Sequence, residues 1–198
     1  MKMAKVDRKF QILDGAMEIF VQKGYSNTTI NDIAGRVSLS KGAIYHHFSS
    51  KKEIFMSLIA HWETLTFPDF YDKKIVNRGA IKTLEHFADS IVDVYNKRKY
   101  VFLAESEFLS LANQDKDFKK ELEKLYEKLL NLFDLVINKG IRLGEFKEND
   151  SENTSLLLLS GFQTINWMSL FRSEPKQIKF YINNFIAVII DNIKVENK

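Results

Sequence analysis

The chain has 198 residues, 45% of them apolar, with no cysteine and only two prolines, Pro68 and Pro175. That length allows one large domain or a small domain joined to a medium one, and the lack of cysteine excludes a disulfide framework and cysteine-based zinc sites. The net charge is only +3, but residues 1–52 carry nine Lys and Arg against four Asp and Glu, while residues 53–198 carry twenty against twenty-two, so a basic amino-terminal quarter points to a polyanionic partner at one end.

The first helix is expected from about Asp7 to Lys23, where Phe10, Leu13, Ala16, Met17 and Phe20 recur at three- and four-residue spacing. Gly24 follows as its stop. A second helix opens at Thr29, because Thr29-Ile30-Asn31-Asp32 has the spacing of a capping box with Asp in place of Glu. Ile30, Ile33, Ala34 and Val37 form its apolar stripe. A turn at Ser38-Leu39 leads to a short third helix from about Ser40 to His47. Ser50-Lys51-Lys52-Glu53 is a second capping box and opens a fourth helix, 51–66, which Pro68 brings to an end.

Beyond residue 79, helical periodicity returns over about 79–97, 100–112, 116–139, 152–172 and 175–193, with Gly140 and Gly144 marking a break. The last segment is apolar over a broad arc: Ile178, Tyr181, Ile182, Phe185, Ile186, Ile189, Ile190 and Ile193. Such a helix has two faces to bury, one on its own domain and one on a partner subunit. Strand signals are weak throughout. The expected fold is therefore all-α: a three-helix helix-turn-helix domain (1–50) followed by a larger helical domain (51–198), about nine helices in total, with helix 51–66 connecting the two. The charged start, Met1–Lys9, has no apolar stretch after it, and the longest apolar runs, Leu156–Leu159 and Phe185–Ile190, fall far short of the ~20 residues of a membrane span. A soluble, cytoplasmic protein without a membrane partner is expected.

The second and third helices, split by a tight turn, suit the major groove of DNA, which admits one helix end and a few side chains. Ile44 and Phe48 lie four apart and face the core, leaving Lys41, Ala43, Tyr45, His46 and His47 for other faces. Lys41 can donate to guanine O6 and N7, Ala43 can meet a thymine methyl, and Gly42 lets the backbone approach closely. The helix starts at Thr29, Ser40 and Ser50 offer backbone N–H groups to phosphates. His46-His47 reads as DNA or solvent contact, because adjacent helical residues point about 100° apart and no third metal ligand is near in sequence. No metal or cofactor is expected. Nor is an enzyme, since no nucleophile–base constellation and no glycine-rich phosphate loop are present.

Residues 12–60 resemble the amino-terminal domain of TetR-type transcriptional regulators. The resemblance rests on Ile12-Leu13-Asp14-Gly15-Ala16 with Phe20, Gly24-Tyr25, Thr28 to Ala34, Ser40 to Phe48, Ser50-Lys51 and Ile54-Phe55. Lys139 to Phe146 is similar to the loop such regulators have before their last two helices. The resemblance implies phosphate contacts from Thr29, Tyr45 and Lys51, and contacts at or near base edges from Lys41, Gly42, Ala43 and His46, with Asn31 and His47 beside them. It also implies an operator of double-stranded DNA, a small-molecule effector, and a homodimer through helices 152–172 and 175–193, with release of a near-palindromic operator on effector binding. This chain has Ser38 where the family usually has Gly in the turn.

The aromatic residues of the second domain leave two readings open. Trp62, Phe102, Phe108, Phe133 and Trp167, with Glu105 and Gln163 as polar groups, could line a pocket for a largely apolar or aromatic effector; the same aromatics could simply fill a helical core. Glu105, Glu107, Gln163 and Asn166 sit in otherwise apolar stretches, where surface exposure is the expected placement of each. A helical ligand-binding or scaffold protein without operator binding is the alternative function.

Overall fold

The computed structural model describes residues 7–67, 78–148, 150–171 and 174–196. Among these the chain forms nine helices: α1 (Arg8–Lys23), α2 (Ile30–Arg36), α3 (Lys41–His47), α4 (Lys51–Thr66), α5 (Ala80–Lys97), α6 (Tyr100–Ala112), α7 (Lys116–Arg142), α8 (Ser151–Phe171) and α9 (Pro175–Ile193). The only extended pairing among the described residues is one isolated antiparallel bridge between Phe146 and Lys194. The fold is all-α. Pro68, expected to stop α4, lies outside the described residues.

Two compact units emerge, Met1–Glu63 with Tyr100–Glu123, and Thr64–Lys99 with Lys124–Lys198. The first unit is larger than a helix-turn-helix, because it takes in most of α4, all of α6 and the first turns of α7. Its core is a set of rings around Phe55, which is fully buried. The Phe55 ring meets Phe20 at 5.5 Å, Tyr25 at 4.9 Å, Phe108 at 5.4 Å and Phe118 at 4.8 Å between centroids. Trp62 on α4 donates its indole N–H to the Val101 carbonyl of α6 at 2.6 Å. Lys52 forms ion pairs with Asp115 at 2.8 Å and Asp117 at 2.6 Å. Phe10 departs from its expected place in the α1 stripe: it is 50% exposed and stacks on the His61 ring at 4.8 Å. The buried face of α1 is instead carried by Ile12, Leu13, Ala16, Met17, Ile19 and Phe20.

The second unit packs α9 on α5 and on α8. Phe133 and Phe162 stack at 5.6 Å, and Phe67 meets both edge-on at 6.2 Å. Gly140 does not break α7, which runs on to Arg142. A Cβ at Gly140 would overlap the Phe146 ring, so this glycine serves close packing inside a helix. The chain turns at Gly144, whose φ is 71°. The Glu145 carboxylate then accepts from Ala80 N at 2.7 Å and Ile81 N at 2.9 Å, satisfying donors left open at the start of α5.

The last two helices each present two faces. On α9, Ile178, Ile182, Ile186 and Ile190 are buried at four-residue spacing, while Phe180, Ala187 and Val188 are exposed. On α8, Leu158, Leu159 and Phe162 are buried, while Leu157, Trp167, Met168 and Phe171 are exposed within an arc of about 100°. No helix among the described residues is long and apolar enough to cross a membrane.

Candidate nucleic-acid interface

The helix-turn-helix is set by three local devices. The first is the start of α2. Thr29 is its N-cap: Asp32 N donates to Thr29 Oγ1 at 3.2 Å, and Thr29 N donates back to Asp32 Oδ2 at 2.8 Å. The Thr29 hydroxyl donates to the same carboxylate at 2.7 Å, and Lys23 Nζ meets the other oxygen at 2.5 Å. These donors, Lys23 first, hold the Asp32 carboxyl well below the usual carboxylate range.

The second device is the turn. Ser38 N donates to Gly35 O at 3.3 Å and Leu39 N to Ala34 O at 3.0 Å, the paired bonds of a Schellman motif. That motif needs a left-handed residue at its centre, and Ser38 occupies it with φ 55°. The turn is therefore left-handed at Ser38 without the glycine that would accept this φ at little cost. A non-glycine residue there costs about 1 kcal/mol, so Ser38→Gly is expected to raise the unfolding free energy by about that amount. Urea titration checks this; an unchanged or lower midpoint would count against a strained turn.

The third device positions α3. Ser40 caps it by accepting from Ala43 N at 3.1 Å. Ile44 and Phe48 are buried as the spacing predicts, whereas Lys41, Gly42, Tyr45 and His46 are exposed and Ala43 and His47 half-buried. The Lys41 ammonium lies 5.8 Å from the centroid of the Tyr45 ring. Asn31 is exposed on α2. The rings of His46 and His47 sit 5.2 Å apart edge-to-face, and no group of metal-binding residues occurs among the described residues. Behind α3, α1 fixes the end of α2: Gln11 Nε2 donates to Val37 O at 3.1 Å, and a Cβ on Gly15 would overlap the Val37 side chain.

At the start of α4, Ser50 Oγ accepts from Glu53 N at 3.1 Å, as a cap should. The return bond differs from the expected box: Glu53 accepts from Ser49 N and Ser49 Oγ, both at 2.6 Å, one residue upstream. These two donors, the hydroxyl first, lower the Glu53 pKa. The Lys51 ammonium turns onto backbone carbonyls of residues 25–28. Sequence spacing could not find this, since it gives the charge but not the acceptors.

The seven residues weighed as effector ligands are divided between the two units. Trp62, Phe102, Glu105 and Phe108 belong to the first; Phe133, Gln163 and Trp167 belong to the second. Trp62, Phe102, Glu105, Phe108 and Phe133 are buried and Gln163 is half-buried. Trp167 is 58% exposed on α8 and so is a surface group in the single chain. The expectation of exposure fails for Glu105 and Asn166, both buried. Glu107 instead accepts from Tyr25 N at 3.3 Å, bracing the turn after α1.

Comparison with known proteins covers both parts of the chain. Residues 12–58 match the family described as bacterial regulatory proteins, tetR family, and residues 70–194 match the QacR-like protein, C-terminal region. The Transposon Tn10 TetC protein of Escherichia coli is 27% identical over 183 residues, 89% of this chain and 86% of that protein. The biofilm operon icaADBC HTH-type negative transcriptional regulator IcaR of Staphylococcus aureus is 47% identical over 47 residues, 24% of this chain and 25% of that one. Among solved structures, the transcriptional regulator FadR from Bacillus subtilis in complex with stearoyl-CoA aligns with TM-score 0.73 at 18% identity, covering 93% of this chain and 98% of that one.

Proposed function

Because the chain belongs to the TetR family of bacterial regulatory proteins, we propose that it is a homodimeric repressor that leaves a near-palindromic operator when a small, largely apolar or aromatic molecule occupies its carboxy-terminal region. As a member of this family it is a DNA-binding transcriptional regulator and not an enzyme. The observation that carries the operator reading is the division of α3, with Ile44 and Phe48 anchoring one face in the core while Lys41, Gly42, Tyr45 and His46 stand in solvent on the other. Lys41, Gly42, Ala43 and His46 meet base edges in this reading, with Asn31 and His47 beside them. Thr29, Tyr45 and the capped helix start at Ser40 meet phosphates.

Dimerisation rests on the exposed apolar faces of α8 and α9. Two-fold symmetry then places two α3 helices about one DNA turn apart. Repression, rather than activation, is favoured by the likeness of the DNA-binding domain to a negative regulator. The effector class follows the apolar interior of the second unit, and one structural neighbour holds stearoyl-CoA, whose acyl chain is apolar. Effector coupling of about 1–3 kcal/mol would change operator affinity about 5- to 150-fold.

Lys41→Ala tests the assignment of α3. It is expected to weaken operator binding by about 1–3 kcal/mol and to relax preference at one position in each half-site. Binding of a panel of single-position operator variants reads this directly. A uniform loss across the panel would mean that Lys41 positions the protein and does not read sequence.

A further inference from the structure

Lys51 begins α4, and an ammonium has three N–H donors. Here they meet three carbonyls, Tyr25 O at 2.7 Å, Thr28 O at 2.8 Å and Ser26 O at 3.4 Å. The same nitrogen stands 4.4 Å from the centroid of the Tyr25 ring, within cation–π range. Burial in this place lowers the Lys51 pKa. The neighbouring Lys52 is directed to Asp115 and Asp117, Lys23 to Asp32 and Arg36 to Glu18. Much of the basic charge of the amino-terminal quarter is thus already engaged within the protein.

The loop that Lys51 grips joins α1 to Thr29, the N-cap of α2. It is tied from its other side as well: Tyr25 N donates to Glu107 at 3.3 Å, and Thr28 Oγ1 donates to Gly24 O at 2.8 Å. To reach a phosphate, the ammonium would have to abandon all three carbonyls, of which Tyr25 O also accepts from Thr28 N at 3.2 Å. Charge-assisted bonds of this kind are about twice as strong as neutral ones.

We propose that Lys51 is a positioning residue: its ammonium clamps the 25–28 loop and thereby sets the start of α2, and it does not itself neutralise a DNA phosphate. The clamp is a property of the free protein; its effect on DNA rests on the operator reading above.

Lys51→Met keeps the stem and removes the donors. In hydrogen exchange of the free protein, read by mass spectrometry, the peptide covering residues 24–30 is expected to exchange about tenfold faster than in the wild type. Operator affinity, followed by fluorescence anisotropy, is expected to fall by a constant factor at every salt concentration. The slope of log K against log salt should then stay within about half a unit of the wild-type slope. Unchanged exchange, or a slope shallower by about 0.9 as for one lost phosphate contact, overturns the proposal. Lys51→Gln, an N–H donor without charge, carries the test should the methionine variant not fold. It should exchange faster than the wild type while keeping the wild-type slope, and the shallower slope would overturn the proposal here too. If the wild type enriches no operator at all, the operator reading falls, and the exchange measurement alone decides whether the clamp exists.

Discussion

A chain carrying both Trp167→Glu and Phe171→Glu is expected to sediment as a monomer and to bind its operator about 10²–10⁴-fold more weakly than the wild type. The two rings are 58% and 78% exposed in the single chain, on the same face of α8 as Leu157 and Met168. Phe180 and Val188 add exposed apolar surface on α9. Aromatic side chains gathered on one outward face are what a protein–protein interface core is made of. Carboxylates at two positions on this face would each have to be desolvated without a partner for the dimer to form. The folded monomer should survive, because neither side chain contributes to the buried rows of α8. Operator affinity falls because two half-sites are no longer held by one particle. Sedimentation velocity and anisotropy on the same samples check both parts. A double variant that remains dimeric would move the subunit contact away from α8.

The second large effect is expected in the first unit. Phe55→Ala should destabilise that unit by about 3–5 kcal/mol, because the ring is fully buried among Phe20, Tyr25, Phe108 and Phe118. Its loss leaves a cavity beneath the same Tyr25 whose ring and carbonyl hold Lys51. The start of α2 should therefore loosen along with the core, and operator binding should weaken even below the melting temperature. Chemical denaturation followed by far-UV circular dichroism reads the first part. A cost below about 1 kcal/mol would mean that the neighbouring rings collapse into the space.

The helices were legible because their apolar residues repeat at three and four, and because the caps Thr29, Ser40 and Ser50 are the residue types that satisfy open N–H groups. The buried pair Ile44 and Phe48 followed from the same spacing. What spacing could not reveal depends on contacts made across long stretches of chain. Lys52 finds Asp115 and Asp117 some sixty residues on, and the Phe55 ring finds Phe108 and Phe118, so α6 and the first turns of α7 join the amino-terminal helices in one unit. Lys51 looked like a surface cation because its acceptors are carbonyls, which no side-chain pattern records. Gly140 looked like a helix stop, but its missing Cβ makes room for Phe146. Phe10 fits the α1 stripe by number, yet its place at the first turn leaves it against His61 at the margin. Glu105 and Asn166 were legible as polar residues in apolar helices; their burial depends on neighbours from other helices.

The central claim is that α3 reads an operator as one of a symmetric pair. Selection of the full-length protein against a random duplex library, followed by footprinting on the enriched sequence, tests it most directly. The expected result is a near-palindrome with two protected major-groove segments about one helical turn apart. Enrichment of no sequence, or of a single half-site protected on its own, would contradict it.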